Sequence, residues 1–356
     1  MNMENDLQKL ALKMFRQNTF APLMIMIRLM QRCNARCQMC DFWKTKDSGF
    51  SLEKMNEMIT DANKLGAKEL RLTGGDPLLY KHFFEVLDSA RQKKIRTSFI
   101  TNGLMLTDSV TDQILKANPH HIHVSIDSAT PAFHDWERGV SLWQNAVTGL
   151  KLLFQKRSSK RKPKLVVNFV VSNKNYSQLP RLVELGGGEW FDEINLIPIR
   201  LKKDWFLSTE QIKDYNNRVV PLLMDALKAK SVSLRSENPF IFGTTPNELL
   251  QSTKSKYTQT LYSRIGCLVS KYTLFVNEDG QVYPCSNTPY QKEPFGLGNV
   301  FDQPLTAIWH SKKYFQGASN ASNPKLCSAC DPINCTLNLK SNLQKSPLQV
   351  ADPAKS

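Results

Sequence analysis

The chain has 356 residues, 41% of them hydrophobic and 22% charged, proportions that exclude a fibrous repeat or a disordered chain and leave room for one large α/β domain plus an appendage. Lys and Arg outnumber Asp and Glu by 47 to 32, a formal net charge of +15 that would attract phosphate-bearing substrates, nucleic acid or acidic lipid. The acidic opening MNMENDLQKL is not a signal peptide and no apolar run is long enough to cross a bilayer, so no membrane span and a cytoplasmic location are expected.

Residues 1–20 are expected to form a helical extension. Short continuous apolar runs follow at Met24 to Leu29, Glu69 to Leu72, Thr97 to Ile100, His123 to Ile126, Leu165 to Val171 and Glu193 to Ile197. Such runs predict buried strands, because a parallel sheet covered on both faces does not alternate apolar with polar residues. Between them, helical spacing is found at Leu52 to Leu65, Phe83 to Lys93, Asp108 to Lys116, Leu142 to Phe154 and Leu179 to Leu185. The repeated β-α order predicts parallel strands with right-handed crossovers, either an open doubly wound sheet or an incomplete barrel. Gln155 to Lys164 is strongly basic but lacks interleaved aromatics, so it reads as a solvated loop rather than a nucleic-acid site. Thr209 to Lys228 is helical again, and 231–260 reads as a linker. Thr273 to Val276, Asn277 to Gly280 and Gln281 to Tyr283 then predict a hairpin with a glycine turn. Residues 261–342 are expected to form a separate module and 343–356 a polar tail.

The eight cysteines fall in two groups, three near the start and five near the end; in a reducing compartment such grouping points to metal ligands rather than disulfides. Cys33-Asn34-Ala35-Arg36-Cys37-Gln38-Met39-Cys40 gives a C-x3-C-x2-C spacing directly after the first predicted strand. Three thiolates on one loop can hold three irons of a four-iron cluster and leave the fourth open to a substrate. A structural zinc site would need a fourth nearby nitrogen or sulfur ligand, and none follows in the sequence. Thr73-Gly74-Gly75-Asp76-Pro77 ends the second strand, where two glycines let backbone approach a ligand closely. Thr101-Asn102-Gly103 ends the third strand, and Ser125-Ile126-Asp127 the fourth, with His134, Arg138 and Gly139 beyond. These are strand C-termini, where barrels and open α/β sheets place ligands, although Ser125 and Asp127 could equally cap a loop and Arg138 could pair with a neighbouring acid. Asn168 and Asn195 interrupt the fifth and sixth strands, and a buried amide must be hydrogen-bonded, to backbone or to a ligand.

On the cysteine triad and these strand ends the chain resembles the radical S-adenosylmethionine superfamily. The resemblance implies a partial (β/α)6 TIM-like barrel over 21–230 and a 4Fe-4S cluster on Cys33, Cys37 and Cys40, whose open iron chelates S-adenosylmethionine. It further implies that Met39 lies against the adenine and that Gly74, Gly75, Asp76 and Pro77 contact the methionine amino group, Asp76 standing where the family usually has Glu. By the same resemblance Asn102, Ser125, Asp127 and Arg138 are cofactor-binding candidates, the last three near the ribose or methionine carboxylate. Catalytic residues proper are not indicated.

Cys267 and Cys285 flank the predicted hairpin, and Cys327, Cys330 and Cys335 follow Gly296-Leu297-Gly298-Asn299 and a short helix. Four such thiolates can enclose an iron–sulfur cluster, and zinc could use the same ligands. With Tyr283-Pro284-Cys285, the segment resembles the SPASM and Twitch modules of the superfamily. Five cysteines imply one auxiliary 4Fe-4S cluster, held by Cys267, Cys285, Cys327 and Cys330, with Cys335 able to replace one of them.

The resemblance implies reductive cleavage of S-adenosylmethionine, with a flavodoxin or ferredoxin-type electron donor, and hydrogen abstraction from a substrate by the resulting radical. A small molecule, such as a sugar or alcohol to be dehydrogenated, epimerised or dehydrated, is expected over a ribosomal peptide, because the segment before the first strand is too short for a leader-recognition domain. A plain iron–sulfur electron-transfer or structural protein would explain the cysteines but not Gly74-Gly75-Asp76-Pro77 at a strand end. A basic zinc protein acting on nucleic acid is the third class, distinguished by metal content.

Overall fold

The apolar runs become parallel strands. A computed structural model describes residues 21–45, 47, 49–158, 162–200, 202–235, 238–254, 268–290 and 294–320. Strands β1 (Met24–Arg28), β2 (Glu69–Thr73), β3 (Arg96–Thr101), β4 (His121–Ser125), β5 (Lys164–Val171), β6 (Glu193–Pro198) and β7 (Ser233–Leu234) pair in parallel in sequence order. A doubly wound sheet would reverse its strand order about the first strand. The sequential order keeps the right-handed crossovers on one face and makes the sheet a partial barrel. Its helices include α1 (Leu52–Lys64), α2 (Phe83–Gln92), α3 (Asp108–Ala117), α4 (Pro131–Arg138), α5 (Trp143–Lys156) and α6 (Leu179–Gly186). Several begin at a side-chain cap: Ser51 accepts from the Lys54 N–H, and Thr107 from the Val110 N–H.

The strands carry two different faces. Ile25, Ile27, Leu70, Leu72, Phe99, Ile122, Val124, Leu165, Val167, Phe169, Ile194 and Leu196 belong to the main hydrophobic core with the helices. The alternate positions are polar yet buried: Glu69, Arg71, Ser98, His121, His123, Asn168, Glu193 and Asn195. Because strand side chains alternate faces, these share the concave side. Across the strands Asn195 Nδ2 donates to Asn168 Oδ1 at 2.9 Å and His123 Nδ1 lies 3.1 Å from the same oxygen, while along β2 Arg71 Nη2 pairs with Glu69 Oε1 at 3.1 Å. Asn168 Oδ1 thus serves both Asn195 and His123.

β8 (Thr273–Val276) and β9 (Gln281–Tyr283) form the expected hairpin, followed by β10 (Gly298–Asn299). β8 runs parallel to β1 and hydrogen-bonds to it, Met24 opposite Thr273 through Ile27 opposite Val276. Among the described residues one ten-stranded sheet therefore carries both barrel and hairpin. The basic run is not wholly solvated: Arg157 is buried, with Nη2 2.9 Å from Asp192 Oδ1. Among the described residues no helix is long and apolar enough to cross a membrane.

Candidate radical site at the end of the first strand

The cysteine loop leaves β1 and is strapped on both sides by backbone. On one side Gly75 N–H donates to Met30 O at 2.9 Å and Asp76 N–H to Arg32 O at 3.1 Å. On the other, Arg36 N–H donates to Arg138 O and Gln38 N–H to Glu137 O, both at 2.8 Å. Asp47 holds the loop's first turn, its carboxylate accepting from the N–H groups of Gln31 and Arg32. Both straps require glycine. A Cβ on Gly75 would lie 2.1 Å from the carbonyl oxygens of Gln31 and Arg32, and Gly139, at φ +67°, would press one within 2.5 Å of Arg36 O. Gly75 thus admits the cysteine loop itself.

Cys33, Cys37 and Cys40 are half-buried free thiols on one loop. No three His, Cys, Asp or Glu side chains among the described residues gather on a single metal ion. Each of two sulfurs has N–H donors at hand: Ala35 N at 3.4 Å and Asn102 Nδ2 at 3.6 Å from Cys33 Sγ, and Arg138 Nη1 at 3.6 Å from Cys37 Sγ. Burial nevertheless pushes all three thiols up, Cys37 to about 12 against the opposing pull of Arg138. Without metal they are neutral; the donors are arranged for sulfurs that carry negative charge.

The expected cofactor contacts are placed as follows. Asp76 is buried, and its carboxylate accepts from Thr101 Oγ1, Asn102 N–H and Leu78 N–H at 2.8, 2.8 and 3.0 Å, so it welds the end of β2 to the end of β3. Burial raises it to about 6. Pro77 is buried and opens a short 3-10 turn. Asn102 Nδ2 reaches Asn34 Oδ1 at 2.7 Å as well as Cys33. Asp127 is bonded to the Arg138 guanidinium and accepts from Val170 N–H at 2.7 Å. Arg138, at the end of α4, is thus held between Asp127, Glu137 at 3.0 Å and the Cys37 sulfur. Ser125 is half-buried and its hydroxyl has no partner among the described residues, and Met39 is half-buried on the cysteine loop. Sequence reasoning missed Asn34, Asp47 and Glu137, which position the loop; Glu137 adjoins the predicted Arg138, but nothing in spacing marks the other two.

In the C-terminal part only Cys285 lies among the described residues: it follows β9, is buried, and its Sγ is 3.3 Å from Thr288 Oγ1. Cys267, Cys327, Cys330 and Cys335 lie outside them.

The model of the radical SAM superfamily matches residues 27–185, and that of the SPASM iron–sulfur cluster-binding domain matches 267–335. The chain belongs to the radical SAM superfamily. It is an enzyme of that superfamily, whose cofactors are a 4Fe-4S cluster with S-adenosylmethionine, and its SPASM domain brings auxiliary iron–sulfur. Among similar proteins, an AdoMet-dependent heme synthase of Methanosarcina barkeri is 24% identical over 327 residues, 88% of this chain and 89% of the relative. A tungsten-containing aldehyde ferredoxin oxidoreductase cofactor-modifying protein of Pyrococcus furiosus is 23% identical, over 81% of each. The fold is that of SuiB from Streptococcus suis, solved with S-adenosylmethionine, with a TM-score of 0.66 at 16% identity over 90% of this chain and 74% of that one. It is also that of anSMEcpe bound to AdoMet, with a TM-score of 0.64 at 18% identity over 86% of this chain and 88% of the other.

Proposed function

We propose that this radical SAM enzyme binds its first cluster through Cys33, Cys37 and Cys40 and removes a hydrogen atom from a small organic substrate held in the barrel. The observation that carries the reading is the loop itself: three thiols, strapped between Gly75-Asp76 and Glu137-Arg138, with N–H donors on their sulfurs. A cluster held there would, when reduced, supply the electron for splitting S-adenosylmethionine into methionine and a 5′-deoxyadenosyl radical. The chain's residues supply position and charge. Arg138 and Asn102 stabilise the ligating sulfurs, Asp76 fixes the turn carrying Gly74 and Gly75, and Asp127 aims Arg138. Met39 would face the adenine, and the unpartnered Ser125 is the best placed of the β4 residues to meet the ribose or carboxylate. Cys285, with Cys267, Cys327, Cys330 and Cys335, would supply the ligands of the auxiliary cluster.

A small substrate is favoured by the polar concave face, where His123, Asn168 and Asn195 offer a neutral hydrogen-bonding floor, and by the two relatives named for heme and for a tungsten cofactor. Peptide modification is the second reading, supported by structural neighbours solved with a precursor peptide and with a Kp18Cys peptide. A flavodoxin or ferredoxin in a reducing cytoplasm would supply the electron. The test is anaerobic: reduced, reconstituted protein should form 5′-deoxyadenosine from S-adenosylmethionine, and alanine at Cys33, Cys37 and Cys40 should abolish it. Undiminished formation in that variant refutes the assignment.

A further inference from the structure

Arg28 ends β1, five residues before Cys33, and only 6% of it is exposed. Its Nη1 donates to Asn277 Oδ1 at 2.5 Å and to Glu278 Oε2 at 3.2 Å, and its Nη2 to the Tyr290 hydroxyl. The guanidinium carbon lies 4.4 Å over the Phe42 ring and 5.1 Å from that of Phe275. Gln31 holds the other oxygen of Glu278. One buried cation therefore touches both the cysteine loop, at Phe42, and the turn and flank of the C-terminal hairpin. Phe42, under the guanidinium, is two residues past the third cysteine, Cys40.

Joining two segments does not by itself call for a buried ion pair, since well-packed apolar residues of similar volume usually hold a joint as well or better. A fixed charge beside an iron ligand does have a use. Adding an electron to a cluster adds negative charge, which a nearby cation stabilises and a nearby carboxylate opposes. We propose that the Arg28–Glu278 pair sets the reduction potential of the barrel cluster and makes that potential depend on the seating of the C-terminal hairpin, Arg28 raising it and Glu278 lowering it. This rests on the assignment of Cys33, Cys37 and Cys40 to that cluster.

Opposite signs make the test decisive. Full-length Arg28→Gln, Arg28→Lys and Glu278→Gln proteins would be reconstituted, assayed for iron and sulfide, and titrated by spectroscopy, the barrel cluster being recognised by the spectral change on adding S-adenosylmethionine and by its loss in the triple cysteine variant. If that signal survives in the triple cysteine variant, the cluster assignment fails rather than the charge pair. With the signal assigned, Arg28→Gln should shift the potential to more negative values, Glu278→Gln to more positive ones, and Arg28→Lys should stay near the wild type. Shifts of the same sign, or none, at full iron content overturn the proposal. Should Arg28→Gln fail to fold, Glu278→Gln keeps the cation and decides alone: an upward shift supports the pair's role and an unchanged potential refutes it.

Discussion

Replacing Gly75 by alanine tests how the cysteine loop is held. The added Cβ would sit 2.1 Å from the oxygens of both Gln31 and Arg32 and 2.4 Å from the Arg32 carbonyl carbon, where real Cβ contacts essentially never fall below 3.0 Å. The obstacles are backbone atoms, so no rotamer relieves the clash and the two segments must part by about 1 Å. That separation breaks or stretches the bonds from Gly75 N–H to Met30 O and from Asp76 N–H to Arg32 O. At about 1 kcal/mol for each bond and about 1 kcal/mol or more for the overpacking, the loss comes to about 3 kcal/mol, which lowers the melting temperature of a domain this size by about 5 °C. Thermal unfolding of metal-free Gly75→Ala protein reads this without any cofactor, and iron content after reconstitution should fall with it. Unchanged melting and full iron content, with only the affinity for S-adenosylmethionine reduced, would refute the reasoning and return Gly75 to a ligand-approach role.

Three further outcomes follow from the same geometry. Asp192→Asn removes the partner of buried Arg157 and should cost about 3 kcal/mol in thermal unfolding, while cleavage of S-adenosylmethionine continues; unchanged melting would show the pair to be dispensable. Burial raises the Cys37 thiol to about 12, so the folded metal-free protein favours the neutral form, and the stability this lends is lost as pH rises from the ordinary thiol value toward 12. Iodoacetamide should therefore label Cys37 slowly at pH 8 and faster with each step upward, and labelling as fast as a free thiol at pH 8 would contradict the burial argument. Cys285→Ser should lower the iron held by the C-terminal part while leaving uncoupled 5′-deoxyadenosine formation intact, and a loss of that formation would place Cys285 in the service of the barrel site.

Six of the seven parallel barrel strands and the principal helices were legible because each is a local apolar pattern of the right period, whereas β7, two residues long, fell in the stretch read as a linker; the cysteine triad was legible because its three members lie within eight consecutive residues. Strand order was not legible: a doubly wound sheet and a barrel use the same β-α units and differ only in which strands meet. α4 was also hidden, since Pro131 to Arg138 carries few apolar residues, and its last residue turns inward to Cys37 because Asp127 and Glu137 hold it there. The polar concave face was visible only as Asn168 and Asn195. Its other members, such as Glu69 and Arg71, lay within a run read as a buried strand, and their charges are tolerated there because they pair with each other.

The pairing of β1 with β8 sets an order of events during synthesis. Ile27 leaves the ribosome 249 residues before its neighbour Val276, an interval of roughly 10–50 s at translation rates of about 5–20 residues per second. Through that time one edge of the strand that launches the cysteine loop is without its hydrogen-bonding neighbour, and Arg28 lacks Asn277, Glu278 and Tyr290. Iron delivered early would meet a loop whose strand is still half-edged; iron delivered late would meet one already closed in by the hairpin.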